Sequence, residues 1–479
     1  MGFNPRYIKE NISEIGKKGA LTYLKRWINE SSNSKLRQEA LKLYGELENG
    51  LDFSFLEEIL LSDEDINLRL LSGKIMSYNY FRNKKVINLF EFVLNSIENI
   101  DLKFLALDVL KKFNTKKADR IIRRFLEKFI FEKTAKERDN KLKELYDFEK
   151  NIEINNQTIE ICYNLILYDY YTKFLGYNVT LRKGIIILLN CEGADLKSIS
   201  QIPGIEKLNK LEYLILRRNE ILGLDGLQLL KNLRVLDLTS NLIEEIESIE
   251  DACHLEELIL TRNKIKCIPI LPLPNLKKLF INKNEISEIK NLDNVLKLEQ
   301  LNLSSNKIQI IKNLKNLKNL KILNLSNNLI ERISGLDNLD NLIILYLNEN
   351  KITKIEGLDY QNNLKVLNLS KNDINKIQNL KNLQNLTKLE ISDNRITKIK
   401  GLDFLINLQE LYLDKNHISK IEGVGNLKNL IILFLDKNAI TNFDLKDIEH
   451  LKNLNFIYLN ENPLDFESKL NYEKRTRFP

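Results

Sequence analysis

Cysteine and histidine are scarce in this 479-residue chain, and that scarcity narrows its chemistry. The four cysteines, Cys162, Cys191, Cys253 and Cys267, show no Cys-x-x-Cys spacing, which excludes that redox or zinc motif and fits a reducing compartment. The three histidines, His254, His417 and His450, lie too far apart in sequence to converge on one metal, so no metal and no cofactor is expected. A Gly-rich phosphate loop and a nucleophile elbow are both missing. The acidic residues are plentiful but scattered, and an enzyme is not expected. Long apolar runs are missing too. The longest, Ile185 to Leu189, suits a strand and is far too short to span a bilayer. Met1 to Lys18 carries charges throughout and lacks the apolar centre of a signal peptide. Met1-Gly2 is followed by Arg6 where N-myristoylation wants Ser or Thr. A cytoplasmic location is expected. Strong charge of one sign is also lacking: 73 basic against 66 acidic residues leave +7, of which +5 falls in residues 1–150. Neither half is an electrostatic trap, and nucleic acid is not the expected main partner.

What the chain does have is a phrase repeated twelve times. One copy reads Leu342-Ile-Ile-Leu345-Tyr-Leu347-Asn-Glu-Asn350-Lys-Ile352. The copies end at Asn219, Asn241, Asn263, Asn284, Asn306, Asn328, Asn350, Asn372, Asn394, Asn416, Asn438 and Asn462, nearly all 22 residues apart. A period of this size marks a solenoid, whose single units cannot bury an apolar face alone. The alternating x-Leu-x-Leu segment predicts a short strand with its leucines inward, stacked from unit to unit into a parallel sheet. The recurring Asn is no core filler. A buried amide must be hydrogen-bonded, and this one is placed to satisfy backbone groups of its own and the neighbouring turn.

Ahead of the repeat, residues 20–131 read as helices with a pattern of their own. Leu36 to Leu41, Leu68 to Leu71 and Leu102 to Leu107 each begin an amphipathic helix, with Arg37, Arg69 and Lys103 spaced 32 and 34 apart. Asp63 to Asp65 and Asp101 stand where acidic helix starts belong. Residues 132–150 are charged and read as an exposed helix or linker. Asn151 to Ile161 alternates around Asn155-Asn156 and suggests a hairpin. Residues 162–178 fit helix or strand. Ile186, Leu189, Cys191, Leu196 and Ile199 then make a degenerate first unit, with Ala194 where later units have Asn.

The Leu-x-x-Leu-x-Leu-x-x-Asn-x-Ile pattern resembles the 22-residue leucine-rich repeat, in the class of the protein phosphatase 1 regulatory subunit and the bacterial internalins. The resemblance covers residues 186 to 472, and Asn462-Pro463-Leu464 with Tyr472 and Arg475 resembles the C-terminal cap of intracellular members. The paired helices in front resemble HEAT repeats. The fold these imply is an α/β solenoid, a leucine-rich-repeat horseshoe with a parallel concave sheet behind an all-α HEAT-like domain. Its expected divisions are 1–135, HEAT-like helices; 136–184, linker and N-terminal cap; 185–464, repeats; and 465–479, C-terminal cap.

The outward strand positions would line the concave face, the usual contact surface of such a solenoid. At the C-terminal end they bring Tyr412, Phe434 and Tyr458 into successive units, with Glu410 and Phe456 two residues before their row and Asp414 and Asp436 two after; Tyr346 lies further back in the same row. Exposed aromatics rimmed by acids have the composition of a protein-binding hot spot. Strand propensity alone would also place aromatics there. Arg217, Arg218, Arg234 and Arg262 form a loose basic group at the other end, readable as solvated loop charge. A denser basic stretch runs from Lys111 to Arg124, with Ile121, Ile122 and Phe125 on its apolar side. It reads either as the polar face of an ordinary solenoid helix or as a surface for an acidic partner, RNA or an anionic membrane. The expected function is a non-enzymatic scaffold or regulatory subunit that binds a partner protein on the concave face. The resemblance implies a serine/threonine phosphatase or a small GTPase as that partner. An RNA-associated protein using residues 111–124 is the alternative.

Overall fold

A computed structural model describes residues 3–48, 52–81, 83–137, 154–246, 249–250 and 252–477. The chain forms two compact units, Met1–Ile187 and Leu188–Pro479.

The first unit is built from helix pairs. After α1 (Pro5–Glu10) and α2 (Ile12–Ile15) come α3 (Lys17–Glu30) with α4 (Ser34–Leu47), α5 (Phe53–Ser62) with α6 (Ile66–Asn79), and α7 (Lys84–Ser96) with α8 (Ile100–Phe113). Asn33, Asp65, Asn83 and Asn99 cap four of these helices by accepting from backbone N–H groups of the first turn. At the third expected start the cap is therefore Asn99, with Asp101 inside the first turn. Two of the three periodic basic residues, the arginines, close the preceding helices. Arg37 Nε donates to the Ile28 carbonyl at 2.6 Å and pairs with Asp63, and Arg69 donates to the Leu60 and Leu61 carbonyls at 2.9 and 3.1 Å. C-terminal carbonyls that α3 and α5 leave open are satisfied this way.

The basic stretch from Lys111 to Arg124 is not one helix. Asn114, with φ of 45°, ends α8 in the left-handed conformation, and α9 (Lys116–Glu137) begins two residues later. Part of the charged stretch 132–150 continues α9, and residues 138–153 lie outside the described residues. The expected hairpin at Asn151–Ile161 is instead α10 (Asn156–Asp169) over the residues described. The Asn155 side chain accepts from the Thr158 N–H at 3.1 Å, and Ile159, Cys162, Leu165 and Ile166 bury one face. The alternation in this stretch coincides with a helical stripe, and an N-cap decides between the two. A π-helical turn (Tyr170–Phe174) follows, then β1 (Asn178–Arg182) and β2 (Ile185–Asn190).

The second unit is one parallel sheet. From the end of β2 it runs through twelve three-residue strands, β3 (Tyr213–Ile215) to β14 (Phe456–Tyr458), each hydrogen-bonded to the next in sequence order. The register never slips: each strand pairs its three residues with the same three positions of the following unit, as Val366, Leu367 and Asn368 do with Lys388, Leu389 and Glu390. The middle residue of each strand is buried, and its neighbours face outward half-exposed, except the buried Asp237 and the exposed Phe456. Behind the sheet, leucine and isoleucine fill the core; nearly all are under a tenth exposed.

The asparagines tie the turns together. Asn372 is typical: its Oδ1 accepts from the Ile352 N–H at 2.9 Å, and its Nδ2 donates to the Leu347 and Leu369 carbonyls at 3.0 Å. The same pattern recurs from Asn219 to Asn462, with Asn350 and Asn462 half-buried and the other ten buried. The residue before each Asn, from Arg218 through Glu349 to Glu461, has positive φ. That left-handed residue reverses the chain so that the amide turns inward. In the degenerate first unit Ala194 makes no ladder bond of its own, and its N–H donates to Asn219 Oδ1 at 3.0 Å. At the far end α11 (Phe466–Arg477) covers the last turns: Phe443 N–H donates to Ser468 Oγ, and Leu459 N–H to the Tyr472 hydroxyl.

Candidate functional site

The strand register decides what meets on the outer strand face. Tyr412, Phe434 and Tyr458 are direct partners across β12 (Glu410–Tyr412), β13 (Ile432–Phe434) and β14. Their rings stack in line, with centroids 5.2 Å apart for Tyr412–Phe434 and 4.0 Å for Phe434–Tyr458, and planes within 19° and 16° of parallel. All three are half-exposed, and Phe456 in the row beside them is 50% exposed. The result is a continuous aromatic strip open to solvent. Such a strip offers much apolar area at little side-chain entropy cost.

Glu410 lies against the strip. Its carboxylate accepts from the Tyr412 hydroxyl at 3.1 Å and pairs with Lys388 at 3.2 Å. Lys388 also pairs with Glu390 at 2.9 Å and sits 4.9 Å from the Tyr412 ring centroid. Partial burial works against the Lys388 ammonium, but the two carboxylates outweigh it and raise its pKa. Burial, then the Glu410 contact, raises that of the Tyr412 hydroxyl. Asp414 and Asp436 border the other side. Asp414 accepts from Ser392 Oγ, and Asp436 accepts from the Asn460 N–H at 2.7 Å. Seven of the eight expected contact residues are therefore brought together. Tyr346 is not: the strands bearing Asn368 and Glu390 separate it from Tyr412. Sequence reasoning passed over Lys388 and Glu390, although their places in the repeat, one unit before Glu410 and Tyr412, carried the signal.

The basic group at the other end is largely neutralised. Arg217 pairs with Asp237 at 2.6 Å, Arg218 with Glu192 at 3.5 Å and Arg234 with Glu256 at 2.7 Å. Among the described residues, no group of three His, Cys, Asp or Glu side chains is placed to hold a metal ion, and no helix is long and apolar enough to cross a membrane.

Comparison with known proteins agrees with the geometry. The family described as Leucine Rich repeats (2 copies) matches residues 296–338, 318–360, 362–404 and 384–426, and Leucine rich repeat matches 406–464. A curated relative, the "Protein phosphatase 1 regulatory inhibitor subunit PPP1R7 homolog" of Arabidopsis thaliana, is 33% identical over 195 residues, which are 40% of this chain and 50% of the relative. The chain thus matches half the length of that protein. Among solved structures, an internalin from Listeria monocytogenes is 31% identical with a TM-score of 0.54, covering 59% of this chain and 83% of the internalin. A chain in the octameric complex of latrophilin 3, Unc5D and FLRT2 shares the fold at 20% identity and a TM-score of 0.50, over 63% of this chain and 89% of that one. The second unit is a leucine-rich-repeat solenoid of about twelve turns, preceded by a helical domain.

Proposed function

We propose that this protein is a non-enzymatic scaffold or regulatory subunit that holds a partner protein against the concave strand face. The observation that carries the reading is the stacked strip Tyr412–Phe434–Tyr458, solvent-open and bordered by Glu410, Asp414 and Asp436. Stacking stabilises the rings against one another, yet valine or threonine would satisfy the strands as well, and three aligned half-exposed rings leave apolar area for a partner to cover. The acids suit a partner surface that presents lysine or arginine among apolar side chains. The Arabidopsis relative is named as a regulatory inhibitor subunit of protein phosphatase 1. A serine/threonine phosphatase is accordingly the first partner class, with a small GTPase second, and the setting is the cytoplasm.

The test is titration of a purified phosphatase 1 catalytic subunit, and of a small GTPase in each nucleotide state, by calorimetry. The intact protein is compared with the combined Tyr412→Ala, Phe434→Ala and Tyr458→Ala variant, shown folded by circular dichroism. Hot-spot truncations of this kind cost about 2 kcal/mol or more each, so the triple change should weaken binding at least about a thousandfold, allowing for non-additivity. Equal binding by the two proteins would refute the site. Binding by neither would refute both partner classes.

A further inference from the structure

A second surface, on the helical unit, has a chemistry the strand face lacks. The turn between α8 and α9 and the start of α7 lie together: Lys117 at the start of α9 bonds to Asn88 of α7, and Phe81, just before α7, stacks on Phe113 at 5.0 Å. Their cations come from neighbouring helix ends. Lys84 and Lys85 open α7, Lys112 ends α8, and Lys116, Lys117 and Arg120 open α9. All six are exposed, and among the described residues none forms an ion pair with a carboxylate. Four of them occupy first turns of helices, where the helix dipole already makes the potential positive and disfavours cations. Stability alone would put aspartate or glutamate there. The first turns of α7 and α9 carry one acid, Asp119, against four lysines, so the potential favours an anion outside the fold.

Aromatic rings stand within this charge. Tyr78 is 73% exposed and Phe81 40% exposed. The Lys112 ammonium lies 3.5 Å from the Tyr78 ring centroid and 5.7 Å from that of Phe81. With the ammonium on one face and most of the ring still exposed, the second Tyr78 face is open for stacking. Solvent-open rings interleaved with cations form the platform on which unpaired bases stack while lysines hold the phosphates. An anionic membrane would meet the same charge and take the rings into its interface, but it offers the open tyrosine face nothing to stack on. We infer that the edge formed by Tyr78, Phe81, Lys84, Lys85, Lys112 and Lys116 binds single-stranded nucleic acid. Apart from the strand-face site, this gives the chain a second partner class on its other unit.

The experiment uses the full chain and a fluorescein-labelled oligouridylate of about 20 nucleotides, followed by anisotropy across a salt series. Binding should weaken with salt. Reversal of Lys112, Lys116 and Arg120 to glutamate should abolish it at moderate salt, and each single Lys→Gln change should lower the log–log salt slope by about 0.7. Tyr78→Ala should weaken binding about tenfold with the salt slope unchanged, because stacking releases no counterions. All of these side chains are exposed, so the variants keep the fold, and circular dichroism checks that. Four results would each overturn the inference: no binding at low salt, full affinity in Tyr78→Ala, duplex RNA bound as tightly as the single strand, or anionic phosphatidylserine vesicles captured while the oligonucleotide is not.

Discussion

Replacing Asn350 by leucine removes one rung of the ladder, and the structure fixes which backbone groups suffer. Asn350 Oδ1 accepts from the Ile330 N–H at 3.0 Å, and its Nδ2 donates to the Leu325 and Leu347 carbonyls at 3.0 Å. The two carbonyls are each shared with a neighbouring rung: Leu325 also accepts from Asn328, and Leu347 from Asn372. They lose one of two donors and stay paired. The Ile330 N–H loses its hydrogen-bond acceptor, which costs about 1–3 kcal/mol when the group is buried. With the two weakened carbonyls and the misfit of a branched side chain, Asn350→Leu should destabilise the solenoid by about 2–4 kcal/mol. Urea unfolding reads the total, and amide exchange at Ile330 reads the specific rung, where protection should collapse first. Asn363→Ala is the control. Its Nδ2 donates to the Asp340 carbonyl at 2.8 Å on the exposed side, where water replaces it, so the cost is about 1 kcal/mol or less. A wild-type midpoint in Asn350→Leu together with full protection at Ile330 would refute the reasoning.

Other expectations follow from single side chains. Gln361 fills a core position that neighbouring units give to Leu339 and Leu383. Its amide donates to the Leu336 carbonyl at 2.7 Å, while its fully buried Oε1 has no hydrogen-bond partner. Leu336 also accepts from the Leu339 N–H, so Gln361→Leu orphans nothing and should raise stability by about 1 kcal/mol in urea titration; a loss would refute this. At Gly335, φ is +67° and an added Cβ would lie 2.5 Å from the Ile311 carbonyl oxygen. Gly335→Ala should therefore lower stability by about 2 kcal/mol in a thermal melt. Hydrogen bonds from Lys277 and Arg234 hold Glu256 below its usual pKa; at Asp52 burial acts upward, but Lys25 and Tyr44 outweigh it. Groups depressed in the folded state contribute stability above their unfolded pKa and lose it as pH falls through the folded value. Melting temperature should stay level down to about pH 5 and fall below about pH 4, less steeply in Glu256→Gln.

The repeat itself was readable in the amino-acid order because a solenoid is built from local, periodic contacts. A 22-residue phrase states which side chains point inward, which amide turns toward the backbone and which row reaches the surface, and the parallel register follows from the period alone. The stacking of Tyr412, Phe434 and Tyr458 was legible for the same reason. Three matters needed tertiary structure. A helix at Asn156–Asp169 rather than a hairpin depended on the Asn155 cap and on the apolar face the helix buries, and period two and period 3.6 overlap in so short a stretch. Lys388 joined the site through two carboxylates, one of them on the next strand. Tyr78 and Phe81 lie 31 or more residues before Lys112 in the chain and meet it only where α6 and α8 end side by side. Sequence order records neighbours along a repeat; contacts between helices of different pairs are decided by packing.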